Sequence, residues 1–264
     1  MGETHEIVVL KPKPSSEVIR QMVSDYFDQE ASGYDQFNET IEKRRIYTQS
    51  IDEIVAADLK NRETVSHILS IGAGTGKREL RIRELSAQPF EITCTDISAN
   101  MCEIMEKRGI KTWCGPWECL DIPDGQEYNF DAVMLLHCFG LIASSEDRLT
   151  ALTKASKCLK KGGTLFVDVL NLDDRDEWGP EIKQTFEKHA LCDNGYEMGD
   201  VVYRKVGGQA MSFCHYFDRM EMVELLKKAG LETERILNVG YAAEHGKVLD
   251  ASDRGSLVFV AVNR

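Results

Sequence analysis

Two spacings of apolar residues alternate along most of the chain. Short runs of mostly apolar or β-branched residues at 67–71, 91–96, 111–114, 130–139, 164–170, 231–239 and 255–263 read as strands. Between them, at 77–87, 98–107, 145–159 and 218–230, apolar residues recur every three or four positions among charged ones, the pattern of helices with one buried face. Ser98 is placed to cap the second of these helices and Arg108-Gly109 to end it, and Lys160-Lys161-Gly162-Gly163 puts cations and then glycine behind the third. Strand alternating with helix predicts an α/β fold with a mostly parallel sheet doubly wound by helices, and the last two strands form a closing hairpin.

The two ends of this alternation read differently. The run Ile7-Val8-Val9-Leu10 is followed by Lys11-Pro12-Lys13-Pro14, which blocks a helix and suggests a tail or edge element. Ser15-Ser16-Glu17 then signals a helix start, with Val18, Met22, Tyr26 and Phe27 near one face, and 26–37 is rich in aromatics and acids. A further helix spans 40–60. From 171 to 208 the alternation breaks: an acidic loop ends in Trp178, a short helix follows Pro180, and 201–206 and 209–216 form a hairpin about Gly207-Gly208. The expected organisation is a tail with helices at 1–60 and an α/β unit at 61–264 carrying an insertion at about 171–216.

Candidate chemistry concentrates where the first main strand ends, at His67-Ile68-Leu69-Ser70-Ile71-Gly72-Ala73-Gly74-Thr75-Gly76. Strand, glycine loop and helix in succession let backbone N–H groups meet a polar or anionic ligand with no Cβ in the way. A glycine-rich turn by itself is ordinary in α/β proteins. The second strand adds Asp96, twenty residues after Gly76, where a carboxylate can accept hydrogen bonds from ribose hydroxyls. A dinucleotide loop requires its third glycine at position 77, which is Lys77, so the spacing is G-x-G-x-G.

Ile71-Gly72-Ala73-Gly74-Thr75-Gly76 and Asp96-Ile97-Ser98-Ala99-Asn100-Met101 resemble the first two motifs of the class I S-adenosylmethionine (SAM) dependent methyltransferases. The resemblance implies a seven-stranded sheet with an antiparallel C-terminal strand, an N-terminal helical lid and a substrate cap in the insertion after the fifth strand. It implies SAM as cofactor, S-adenosylhomocysteine as product, and a cofactor site drawn from Ser70, Gly72, Ala73, Gly74, Gly76, Asp96, Ile97 and Met101. Trp117 falls where the family sets residues beside adenine, though it suits a core position equally, and Leu136 falls where the transferring methyl would lie. Tyr26, Phe27, Tyr34 and Phe37 become lid candidates, against the alternative that they are ordinary packing aromatics. Trp178 and Tyr216 become cap candidates. Arg45 or Arg44 is either solvated or reaches the cofactor's carboxylate. One position departs from the family: Ser70 stands two residues before the first glycine where an acid is usual, and a hydroxyl there would act through water. The run Leu136-His137-Cys138-Phe139 differs from the Asn/Asp-Pro-Pro-aromatic motif of nucleic-acid amino-methyltransferases and lacks the Asp of metal-dependent catechol-type enzymes, so no metal is expected. His137 and His215 are candidate bases because imidazole titrates near neutrality; the alternative for each is a satisfied structural histidine.

Composition narrows the partners. Of 264 residues, 32 are Lys or Arg and 44 Asp or Glu, and the formal charge of −12 repels phosphate backbones, which argues for a small-molecule substrate and against nucleic acid. Eight cysteines with no C-x-x-C pair suit free thiols in a reducing compartment. The chain has no apolar run long enough to cross a bilayer and no signal-peptide pattern at its start, so a cytoplasmic protein without a membrane partner is expected. The acid-rich lid and insertion would suit a cationic amine acceptor. Two other readings remain at this stage: a SAM-binding, non-catalytic partner or regulatory subunit, which Ser70 favours, and a NAD-linked dehydrogenase, which Lys77 and the closing hairpin oppose. Oligomeric state is left open.

Overall fold

A computed structural model describes residues 5–62, 65–117, 130–241 and 248–264. The N-terminal part comprises β1 (His5–Val8), α1 (Ser16–Glu30), α2 (Tyr34–Thr40) and α3 (Glu42–Lys60). The central alternation follows as β2 (His67–Ile71), α4 (Lys77–Ser86), β3 (Glu91–Asp96), α5 (Ala99–Lys107), β4 (Lys111–Cys114), β5 (Phe130–Leu135), α6 (Ser145–Cys158) and β6 (Leu159–Val169). Then come α7 (Gly179–Lys188), β7 (Asp200–Lys205), β8 (Met211–His215), α8 (Arg219–Lys228), β9 (Leu231–Val239), β10 (Val248–Leu249) and β11 (Ser256–Asn263). Helix starts follow local chemistry: Ser15, Ser98, Ser144 and Asp218 each accept a backbone N–H of the first turn of the helix they precede. Cys119 and the polar residues at 124–127 that precede β5 lie outside the described residues.

The main sheet has the order β10-β9-β11-β6-β5-β2-β3-β4. Strands β2 to β6 pair in parallel, and β11 lies antiparallel between β6 and β9. The seven expected strands are therefore joined by an eighth, the two-residue β10 at the edge. Successive residues of each strand face opposite layers. Ile68, Met134, Phe166 and Val258 pack with Ile51 and Val55 of α3, Ile82 of α4 and Met105 of α5. Leu69, Val133, Leu165 and Phe259 pack with Leu152 of α6 and Leu226 of α8. Both faces are covered, so the sheet is doubly wound.

Two boundaries differ from the sequence reading by more than two residues. β5 stops at Leu135 instead of running to 139, because His137 takes a left-handed conformation (φ 61°) and turns the chain out of the sheet. β6 starts at Leu159 rather than 164, so Lys160 to Gly163 are part of the strand and do not cap α6. A register irregularity opposite β5 absorbs the extra residues, and Lys160 pairs with Asp131 at 2.6 Å.

A second sheet has the order β1-β7-β8. The N-terminal apolar run is thus an edge strand on the hairpin of the insertion, antiparallel to β7. One cluster on this sheet brings together Tyr26, Trp178, Tyr203 and Tyr216. Another joins Ile19 and Val23 of α1 to Val202 and Phe213. Among the described residues no helix is long and apolar enough to cross a membrane.

Phe166 is fully buried at the centre of the main sheet. Replacing it with Ala should cost about 3–5 kcal/mol, read as a lowered denaturant midpoint with an unchanged slope.

Candidate functional site

The three glycines after β2 all have positive φ but do different work. A Cβ at Gly72 would stand 2.4 Å from Cys138 Cβ, so this glycine lets the loop lie against the turn after β5. A Cβ at Gly76 would stand 2.3 Å from Ile110 Cδ1, so this one lets α4 start close to the loop before β4. At Gly74 the nearest atom is Tyr34 Cε1 at 3.6 Å, an ordinary contact, so a Cβ there would meet only that ring. Asp96, at the carboxyl end of β3, holds this arrangement. Its Oδ2 accepts the Gly74 N–H at 2.7 Å and its Oδ1 the Ser98 N–H at 2.9 Å. Burial raises its pKa to about 6, against the opposing effect of those backbone bonds.

A cavity of about 250 Å³ opens above the carboxyl ends of the parallel strands, where ligands of doubly wound sheets bind. Of the residues singled out from sequence, Gly72, Ala73, Gly74, Asp96, Ile97 and Met101 border it from the loop and β3 side. Trp117, Leu136 and His137 border it from the loops after β4 and β5, and Phe27, Tyr34 and Arg45 from the N-terminal helices. The N-terminal helices are fastened over it. Asp35 accepts hydrogen bonds from Thr75 Oγ1 at 2.6 Å and from Arg108, Glu39 pairs with Lys77, and Asp28 accepts from Ser98 Oγ and from the Asn100 N–H at 3.2 Å.

Other expected site residues lie away from the cavity wall, each for a packing reason. Ser70 is on a buried strand position and donates to Glu79 at 2.8 Å. Gly76 faces Ile110 and Met105. Tyr26 hydrogen-bonds His5 Nε2 at 2.8 Å and, with Trp178 and the fully buried Tyr216, fills the core of the second sheet. Phe37 lies beneath the cations of Arg44 and Lys205 at 4.7 and 4.6 Å.

His215 is 1% exposed, with Nδ1 2.7 Å from Asp200 and Nε2 3.1 Å from Glu221. Burial opposes its charge, yet the hydrogen bonds to the two carboxylates prevail and hold its pKa above the usual histidine value. Possible ligand atoms of Glu197, His215 and Glu221 lie within 4.8 Å of one another. The buried Arg148 already supplies the positive charge there, paired with Glu197 and 3.6 Å from Glu221.

Beneath the cavity sits a polar group that the sequence reading missed. Asp168 on β6 is 2% exposed. Its Oδ1 accepts the His137 N–H at 2.8 Å and its Oδ2 the Tyr47 hydroxyl at 2.7 Å. The His137 ring meets Tyr47 edge-on at 4.8 Å. Its side chain keeps 31% exposure toward the cavity, but protein surrounds the ring, and this desolvation lowers its pKa to about 4 despite the Asp168 charge. Arg78 and Glu79, in the first turn of α4, also border the cavity and were missed. A single acid inside the apolar run 164–170 was the available signal for Asp168; Arg78 and Glu79 read as ordinary charges at a helix start.

A methyltransferase-domain family model matches residues 41–236. An uncharacterized protein of Methanocaldococcus jannaschii is 30% identical over 207 residues, 78% of this chain and 80% of that protein. Among solved structures, 1,6-didemethyltoxoflavin-N1-methyltransferase of Burkholderia thailandensis, with 1,6-didemethyltoxoflavin and S-adenosylhomocysteine bound, is similar with a TM-score of 0.64 at 16% identity, covering 98% of this chain and 94% of that one. A SAM-dependent methyltransferase of Thermotoga maritima, described as a possible histamine N-methyltransferase, gives 0.62 at 19% identity and covers 91% and 99%. At these identities the solved structures speak for the fold alone.

Two sets of variants test the loop. Asp96→Ala removes the acceptor of two backbone donors, so it should lower the melting temperature of the free protein by several degrees. It should also weaken S-adenosylhomocysteine binding by about tenfold to a hundredfold. Gly74→Ala should cut that binding with a modest loss of stability, whereas Gly72→Ala, pressed into Cys138, should mainly lower the melting temperature. Thermal melts with and without S-adenosylhomocysteine separate these outcomes; equal behaviour of the two glycine variants would sink the distinction.

Proposed function

The chain belongs to the class I SAM-dependent methyltransferases, and from that premise we propose that it transfers the SAM methyl to nitrogen or oxygen of a small molecule held beside His137. The wall fits such a cofactor. Gly74 and Asp96 border the cavity, and buried polar atoms of Arg78 and Glu79 have no partner among the described residues. In this reading Asp96 accepts the ribose hydroxyls, while Ile97, Met101 and Trp117 flank the base. The glycine loop and the α3 arginines face the methionine end. When bound, the cofactor would supply an electrophilic methyl on a sulfonium, open to in-line attack on its carbon by an acceptor lone pair with S-adenosylhomocysteine leaving as the neutral thioether. A site that aligns the two reactants and excludes water favours that displacement.

The observation that carries the reading is the turn after β5. His137 is held there by its own backbone bond to Asp168 and opens onto the cavity from the same wall as the glycine loop. With its pKa lowered to about 4, the imidazole is neutral at physiological pH and has a lone pair to accept a proton or a hydrogen bond from the acceptor. The acid-rich lid supports a cationic amine as acceptor. The cavity wall itself carries six acids and six bases among the described residues, so phenols belong in the same screen.

Turnover of methyl-labelled SAM over a panel of amines and phenols tests the class of acceptor. Asn tolerates left-handed backbone, so His137→Asn should preserve the turn. It should lower kcat by about a hundredfold or more with S-adenosylhomocysteine affinity within threefold of wild type. In the wild type at saturating SAM, protonation of His137 removes its lone pair, so kcat should stay level from pH 8 down to about 6 and fall toward pH 4. An unchanged kcat in His137→Asn would exclude it as the proton acceptor.

A further inference from the structure

Two neighbouring side chains on the cavity wall carry polar atoms that no described residue satisfies. Glu79 is 1% exposed; Ser70 donates to its Oε1 at 2.8 Å, and its Oε2 has no partner. Arg78 donates through Nε to Asp52 at 2.8 Å, and both of its terminal nitrogens are buried without partners. Buried polar atoms are almost always paired, and an orphaned charge is costlier than an orphaned neutral group. Here one acceptor and two donors, of opposite charge, stand on consecutive residues directly after the glycine loop. A single ligand group that answers both must present a cation and an anion a few ångströms apart, as the ammonium and carboxylate of an α-amino acid do.

We propose that Arg78 and Glu79 together read the zwitterionic amino-acid end of the cofactor. The Arg78 terminal nitrogens donate to its α-carboxylate, Glu79 Oε2 accepts from its α-ammonium, and Ser70 steadies the other Glu79 oxygen. This rests on the SAM site proposed above. It also accounts for Ser70, which stands where an acid was expected. The carboxylate comes instead from the helix, nine positions later, and the serine is its support.

The assignment has a protonation consequence. Burial lifts the Glu79 pKa to about 7, with Arg78 on its own helix opposing. The other titratable groups facing it are Asp52 on α3, Cys94 on β3 and Cys138 after β5. Near neutral pH the empty site therefore holds a partly protonated Glu79, and an arriving ammonium drives that proton off. Binding of the amino-acid end should release protons at pH 7.

Calorimetry on the full chain with three ligands tests the proposal. These are S-adenosylhomocysteine, its decarboxylated analogue, which keeps only the ammonium, and 5′-methylthioadenosine, which lacks both charges. Glu79→Gln should weaken the first two by about tenfold to a hundredfold and leave the third within threefold. Arg78→Gln should weaken only the first. Titrations in buffers of different ionisation enthalpy should show proton release for wild type with S-adenosylhomocysteine and none for Glu79→Gln. If Arg78→Gln fails to fold because Asp52 loses its partner, the isosteric Glu79→Gln and its proton count decide alone. Equal losses for all three ligands, or no loss for S-adenosylhomocysteine, would overturn the clamp. A wild-type protein that binds none of the three would instead overturn the SAM site itself.

Discussion

The Asp96 carboxylate is the point on which the glycine-loop side of the cavity depends. One oxygen fixes the glycine loop through Gly74 and the other fixes the entry to α5 through Ser98. The same group thus sets the spacing between the loop after β2 and the loop after β3. A carboxylate can do this because each oxygen has lone pairs left over once one backbone donor is satisfied. The cost is its desolvation, visible in the raised pKa. The loop glycines then divide the remaining geometry among a close approach to the His137 turn, a face toward the cavity and a tight start for α4.

A similar economy joins the second sheet to the main one. Lys13, Asp200, His215, Glu221, Arg148 and Glu197 form a chain of alternating charges running from the N-terminal segment through β7 and β8 to α6 and α8. Arg148 and His215 are almost wholly buried, so removal of any one member strands a charge away from water. This is why His215, which reads in sequence as a candidate base, serves here as a fastening between layers.

What the sequence made legible was local. The strand, glycine loop and helix around Gly72, the acid at the end of the next strand and the period of the helices are all encoded within a few residues of where they act. The features that escaped it depend on residues brought together from a distance. Asp168 meets Tyr47 and His137 from three separate elements, and Glu79 meets Ser70 only because α4 turns back beneath β2. Apolar character also misled where it continued past a change of backbone direction. Phe139 prolongs the pattern of β5 although the chain has already turned at His137. The aromatics Tyr26, Trp178 and Tyr216 have the composition of a ligand pocket, but they pack with Val201, Tyr203 and Cys214 of the three-stranded sheet and fill its core.

The N-terminal helices are fastened unevenly. Asp28, Asp35 and Glu39 grip the rim of the cavity at three separate places, on the cap of α5, on the glycine loop with Arg108, and on the start of α4. The outermost of these, Glu39 with Lys77, is half exposed at both ends and weakened by dissolved ions, whereas Asp28 is bound by hydrogen bonds that salt scarcely touches. Of the three attachments, the one at the α2 edge is therefore the most sensitive to ionic strength and the one on the cap of α5 the least.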